Sequence, residues 1–165
     1  MKNQFTEKQK FTQWWFWGIF IIPAAIAIYA CITQLFFDMP FGNKPMSNAQ
    51  ILTLLICSFG CLYFNWYMTL MTEINDIGIQ MRFVPFVKKT IPWNQVASLK
   101  IVNYGFVGYG IRMGSPYGTV YNMKGNMGLA LVLKDGTKFV IGTQRPEALQ
   151  RTLERINGTI LNAIQ

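Results

Sequence analysis

The side chains that most often carry out chemistry are thinly spread in this chain. There is no histidine, which excludes His-based triads, zinc sites with imidazole ligands and a His pH switch. Ser47, Ser58, Ser98 and Ser115 therefore have no imidazole to activate them as nucleophiles. The seven carboxylates form no spaced pair of the kind that acid–base chemistry at a glycosidic bond requires. Cys31, Cys57 and Cys61 all lie within apolar stretches. Cys57 and Cys61 share a helix face, but no C-x-x-C and no second ligand cluster accompanies them. They read as small packing residues, so no disulfide framework, metal or cofactor is expected. Gly105, Gly108 and Gly110 run G-x-x-G-x-G, and no helical pattern follows to offer an N-terminus to phosphate. Turns and bulges account for them. No enzyme signature survives, and the chain is expected to be non-enzymatic.

What remains is binding. Fifteen Lys and Arg stand against seven Asp and Glu, a net charge of +8, which favours anionic partners such as lipid headgroups or nucleic acid. Two groups of residues are candidates. Arg82, Lys88 and Lys89 lie near a bend shortly after an apolar run, where each basic group close to an anionic leaflet contributes about 1 kcal/mol. Tyr104, Tyr109, Arg112 and Lys124 form a candidate aromatic and basic face for a peptide or single-stranded nucleic acid. Packing in a small aromatic-rich sheet is the competing reading of those tyrosines, and it weighs against nucleic acid as the partner.

The elements that must position these groups begin with Trp14 to Phe37, 24 residues without a charge. That is long enough to cross a hydrocarbon core of about 30 Å as a helix. Ala25-Ile26-Ala27 fits a signal-peptide cleavage pattern, yet the apolar run continues for ten residues beyond it, so the segment reads as a retained span. A second apolar run covers Ile51 to Met71. The residues before Trp14 carry Lys2, Lys8 and Lys10 against Glu7, and Trp14, Trp15 and Trp17 resemble an interfacial aromatic belt. The connection 38–50 carries one Lys and one Asp. This asymmetry predicts a basic cytoplasmic tail over 1–13, spans over 14–37 and 51–71, an external loop over 38–50 and a cytoplasmic domain over 72–165.

In that last segment the periodicity changes to two. Ile79, Met81 and Phe83 alternate with Gln80 and Arg82, and strand patterns return at 99–102, 119–123, 129–133 and 138–141. Asp135-Gly136 between apolar segments is a strong hairpin signal. Leu149, Leu153, Ile156 and Ile160 then repeat as one face of an amphipathic helix opened by Pro146 and Glu147. The expected domain has about six or seven short antiparallel strands in a partly open barrel, closed by that C-terminal helix.

Two motifs in this segment resemble a known family. Ile91-Pro92-Trp93-Asn94-Gln95-Val96 is similar to the I-P-W-x-x-I segment of bacterial pleckstrin-homology-like (PH-like) domains. Ile141-Gly142-Thr143-Gln144-Arg145-Pro146-Glu147-Ala148-Leu149 resembles their final strand-to-helix junction, I-G-T-x-x-P-E-x-L. The resemblance covers about residues 67–163 and implies a membrane-anchored PH-like protein of a bacterial inner membrane. PH domains that bind phosphoinositides place basic residues between their first two strands. Here the loop Glu73 to Gly78 is acidic, which argues against that ligand. The roles left are binding a protein partner, self-association as a homo-oligomer, or reading the anionic surface of the bilayer.

Overall fold

A computed structural model describes residues 4–42, 46–105 and 107–162, with side chains of the last helix described through Ile156. Lys2 and the side chain of Ile160 lie outside the described residues, whereas Gly158 is helical within the last helix. The chain divides into a helical unit, residues 11–67, and a β-rich unit made of residues 1–10 and 68–165.

The helical unit is a pair of packed helices, α1 (Trp14–Phe36) and α2 (Asn48–Tyr67). The buried positions of α1 are Ala24, Ala27 and Ala30, three residues apart on one face, where small side chains let two backbones approach closely. On α2 they are Ile51 and Asn65, whose amide donates to the Cys61 carbonyl at 2.8 Å. Asn65 is thus buried and bonded within its helix. Large apolar side chains such as Ile22, Tyr29, Ile56, Phe59 and Tyr63 point outward. Only 17% of the most apolar window of α1 and 6% of that of α2 is buried. A helix in the core of a water-soluble unit buries most of such a window. These two are long and apolar enough to cross a membrane.

Helix α2 starts before the apolar run and ends before it does. Ser47 and Gln50 form a reciprocal cap: the Ser47 backbone N–H donates to Gln50 Oε1 at 2.9 Å and the Gln50 N–H to Ser47 Oγ at 3.3 Å. The helix therefore opens at Asn48. At the other end Thr69, Leu70 and Met71, which the hydropathy pattern assigns to the span, belong to a strand: Leu70 and Met71 have ladder partners on both flanks and Thr69 pairs with Val84 on one.

The β-rich unit contains nine strands among the described residues, more than the six or seven expected. β1 (Phe5–Gln9), β2 (Thr69–Ile74), β3 (Gly78–Val84) and β4 (Val87–Pro92) pair antiparallel in that order. The segment read as a basic tail thus supplies an edge strand to a sheet whose other strands follow α2. β5 (Val96–Asn103), β6 (Gly110–Ser115), β7 (Gly118–Asn122), β8 (Met127–Leu133) and β9 (Lys138–Gly142) form a second sheet in the order β5-β8-β9-β7-β6. β7 and β9 run parallel, a departure from the all-antiparallel expectation. It arises because β8 pairs with β5 and β9, leaving β7 to dock on the far side of β9. Gly118 makes this docking possible. It has φ +85° and a Cβ there would collide with the Lys138 carbonyl. α3 (Pro146–Asn162) follows β9 and opens on Pro146 as expected.

The two sheets pack crosswise. β9 starts under β4, where the Lys89 ammonium lies 4.2 Å from the Phe139 ring centre, and ends under β1, where Gln9 Nε2 donates to the Gly142 carbonyl at 2.7 Å. Their shared core holds Leu70, Ile79, Met81, Phe83, Leu129, Leu131, Phe139 and Ile141, all at most 1% exposed. Residues 10–68 leave and rejoin the first sheet at one end, between Gln9 and Thr69, and this is termed the tethered end. Pairing of Thr69 with Val84 sets the β3–β4 turn at that end too. The opposite end carries the Asn75–Gly78 turn, Trp93, whose indole donates to the Asn75 carbonyl at 2.9 Å, and the start of β5. α3 lies along this opposite end, lining a groove with Trp93 and Val96 to Leu99. Counting across the second sheet from β5, strand β6 falls at the tethered end, consistent with Tyr121 of β7 lying 6.4 Å from Phe83.

A candidate basic face at the tethered end

Side chains of directly opposed strand residues share a face of the sheet, whereas sequence neighbours point to opposite faces. The register of the first sheet aligns Lys8 with Met71, Met71 with Arg82, and Arg82 with Lys88. All four stand on the outer face, with Lys8, Arg82 and Lys88 exposed and Met71 half-buried. The row is thus three cations around one thioether. In the next outer row, away from the tethered end, Glu73 accepts from Gln4 Nε2 at 2.7 Å and sits beside Thr6 and Gln80.

Of the residues singled out from the sequence, Arg82 and Lys88 are brought together and Lys89 is not. Lys89 is opposed to buried Met81 and turns inward, over the rings of Phe139 and Tyr121 at 4.2 Å and 5.5 Å. Its half-buried ammonium is satisfied by aromatic faces. It also faces the β8–β9 turn, where Asp135 sits with its carboxyl held below the usual range. The chief cause is the Thr137 backbone N–H that it accepts, with a smaller contribution from Lys89. Lys8 was missed as a member of the row because nothing local marks residues 5–9 as a strand.

Tyr104, Tyr109, Arg112 and Lys124 do not form a single aromatic and basic face. Tyr104 is buried at 8% exposure, its hydroxyl donating to the Gly125 carbonyl at 3.3 Å and accepting from Asn122 Nδ2 at 3.1 Å. Burial raises its pKa above the usual phenol value, against the lowering effect of the Asn122 bond. With Asn122 also donating to the Gly108 carbonyl at 3.0 Å, Tyr104 pins the β5–β6 connection from inside. Tyr109 is half-buried on that connection. Arg112 is exposed on β6, its guanidinium lying over Gly108, and Lys124 is exposed on the β7–β8 turn.

A buried polar cluster also escaped the sequence. Glu7 is 6% exposed, and its carboxylate accepts from Thr143 Oγ1 at 2.6 Å and from the Gln144 N–H at 2.8 Å. Thr143 Oγ1 in turn accepts from the Arg145 N–H at 3.0 Å. These contacts fix the β9–α3 junction, where the I-G-T-x-x-P-E motif lies, and place a carboxylate at the amino end of α3, where it is favourable. The cluster ties β1, which carries Lys8, to the β9–α3 junction.

Comparison of the sequence with models of known protein families and with curated proteins gave no match.

Proposed function

We propose that this is a non-enzymatic integral membrane protein of a bacterial inner membrane, anchored by α1 and α2 with both termini cytoplasmic. Its PH-like β domain reads the anionic surface of that membrane. The observation that carries this reading is the Lys8–Arg82–Lys88 row across one sheet face. Three basic groups near an anionic leaflet contribute about 3 kcal/mol together, a change of roughly a hundredfold in occupancy of the surface. The row lies close to the tethered end, and a single residue, Met68, separates α2 from β2. At about 3.5 Å per residue, so short a link holds that end of the sheet to the headgroup region of any bilayer that α2 crosses. Burial of Tyr104 takes its ring out of an aromatic surface for nucleic acid, which supports lipid as the anionic partner.

The test is amide hydrogen exchange of the full-length protein in nanodiscs of neutral or anionic lipid. Exchange at the Val84–Val87 turn slows in anionic lipid, and the slowing disappears in the Arg82→Ala, Lys88→Ala double variant but not in Lys100→Ala, which lies on β5. Equal exchange in both lipids would defeat the reading.

A further inference from the structure

The tethered end carries, besides its cations, two large apolar side chains that face outward. Phe86 sits on the β3–β4 turn and is 57% exposed; Met113 sits on β6 and is 84% exposed. They come from different sheets. The crosswise packing brings them to the same end: the Thr69–Val84 pairing fixes the turn there, and the strand order sets β6 as the edge of the second sheet on that side. Exposed basic residues are close in sequence to each, with Lys88 two residues after Phe86 and Arg112 just before Met113.

We infer that this rim is a bilayer-inserting wedge, with Phe86 and Met113 entering the boundary between headgroups and acyl chains. Lys8, Arg82, Lys88 and Arg112 meet the phosphates just behind them. The inference rests on the surface-reading role proposed above and adds to it an apolar component. An aromatic and a flexible thioether side chain flanked by long cations is the composition that interfacial segments use, because apolar tips gain by leaving water while cationic heads stay at the phosphate level. The covalent link argues for a bilayer as the occupant and not a soluble protein: the chain leaves this end of the sheet at Gln9 and returns at Thr69, with a stretch between that contains both apolar helices. A second prominent apolar side chain, Ile77 at 79% exposure, lies on the Asn75–Gly78 turn at the opposite end, beside Asp76 and with no basic neighbour in its turn. It serves as the internal control.

The test uses the wild-type full-length chain in anionic nanodiscs containing a lipid with a photoactivatable diazirine in the acyl chain, and in parallel one with the diazirine in the headgroup. Crosslinked peptides are mapped by mass spectrometry. The acyl probe is expected to label Phe86 and Met113 several-fold above Ile77, and Phe86→Ser with Met113→Ser to lower labelling of the rim peptides to the level at Ile77. Labelling of the rim by the headgroup probe alone would overturn the wedge while leaving the surface-reading role standing. Absence of rim labelling by either probe would overturn both.

Discussion

Glu7 and Thr143 stand 136 positions apart in the chain and share a buried hydrogen bond of 2.6 Å. Strand β1 is therefore built into the same β-rich unit as the last strand and helix, and residues 10–68 are an excursion from one sheet. Replacing Glu7 with Ala leaves the Thr143 hydroxyl and the Gln144 N–H without their acceptor. A loss of about 1–3 kcal/mol in stability is expected, and a smaller loss for Glu7→Gln, which retains one acceptor oxygen. Urea unfolding of the full-length protein in detergent checks this; a Glu7→Ala variant as stable as wild type would contradict the assigned role.

Lys88 and Lys89 are neighbours in sequence with opposite surroundings, so their alanine variants should behave differently. Lys89→Ala removes a half-buried cation from two aromatic faces and is expected to cost about 0.5–2 kcal/mol. Lys88→Ala removes an exposed cation and should change stability by less than about 0.5 kcal/mol. Thermal melts in neutral detergent measure both. Equal losses would mean that the two side chains do not differ in burial.

Tyr104 has its pKa raised above the ordinary phenol value of 10.0, chiefly by burial. In the unfolded chain it ionises near its ordinary value, whereas in the fold it stays neutral to higher pH. Its contribution is therefore complete below pH 10 and is lost as pH rises from there through the raised folded value, at up to about 1.4 kcal/mol per pH unit. Stability measured by denaturant unfolding across alkaline pH should fall less steeply in Tyr104→Phe. Identical slopes would show that this phenol does not drive the loss.

Gly118→Ala should be among the most damaging single-methyl additions. It forces an L side chain into a left-handed backbone and drives a Cβ into the Lys138 carbonyl, separating the only parallel strand pair found among the described residues. A cost of at least about 2 kcal/mol follows from the two effects together. Hydrogen exchange of β7 and β9 locates the damage; an effect below about 0.5 kcal/mol would contradict the register.

Much of this architecture was legible in sequence because the signals are local. Uncharged runs marked the two helices, Asp135-Gly136 marked the β8–β9 hairpin, and Pro146 marked the start of α3. What escaped was non-local. In β1 the inward positions include Glu7 and Gln9, so Phe5 to Gln9 shows no apolar alternation; those polar groups are tolerated only because Gly142, Thr143 and Gln144 meet them. The strand patterns at 119–123 and 129–133 are consecutive in sequence, yet the two strands are not neighbours in the sheet. The same holds for the site. Arg82 and Lys88 were found from charge and position, Lys89 was grouped with Lys88 by adjacency although strand geometry separates them, and Lys8 entered only through a pairing partner that lies beyond both helices.

The most direct test of the basic row as a reader of the bilayer is lysine acetylation of the full-length protein in anionic nanodiscs across a salt series, read residue by residue by mass spectrometry. Lys8 and Lys88 should be protected at low salt and become reactive as salt screens the surface, while Lys100 reacts equally throughout. Lys8 and Lys88 as reactive as Lys100 at every salt concentration would contradict the account.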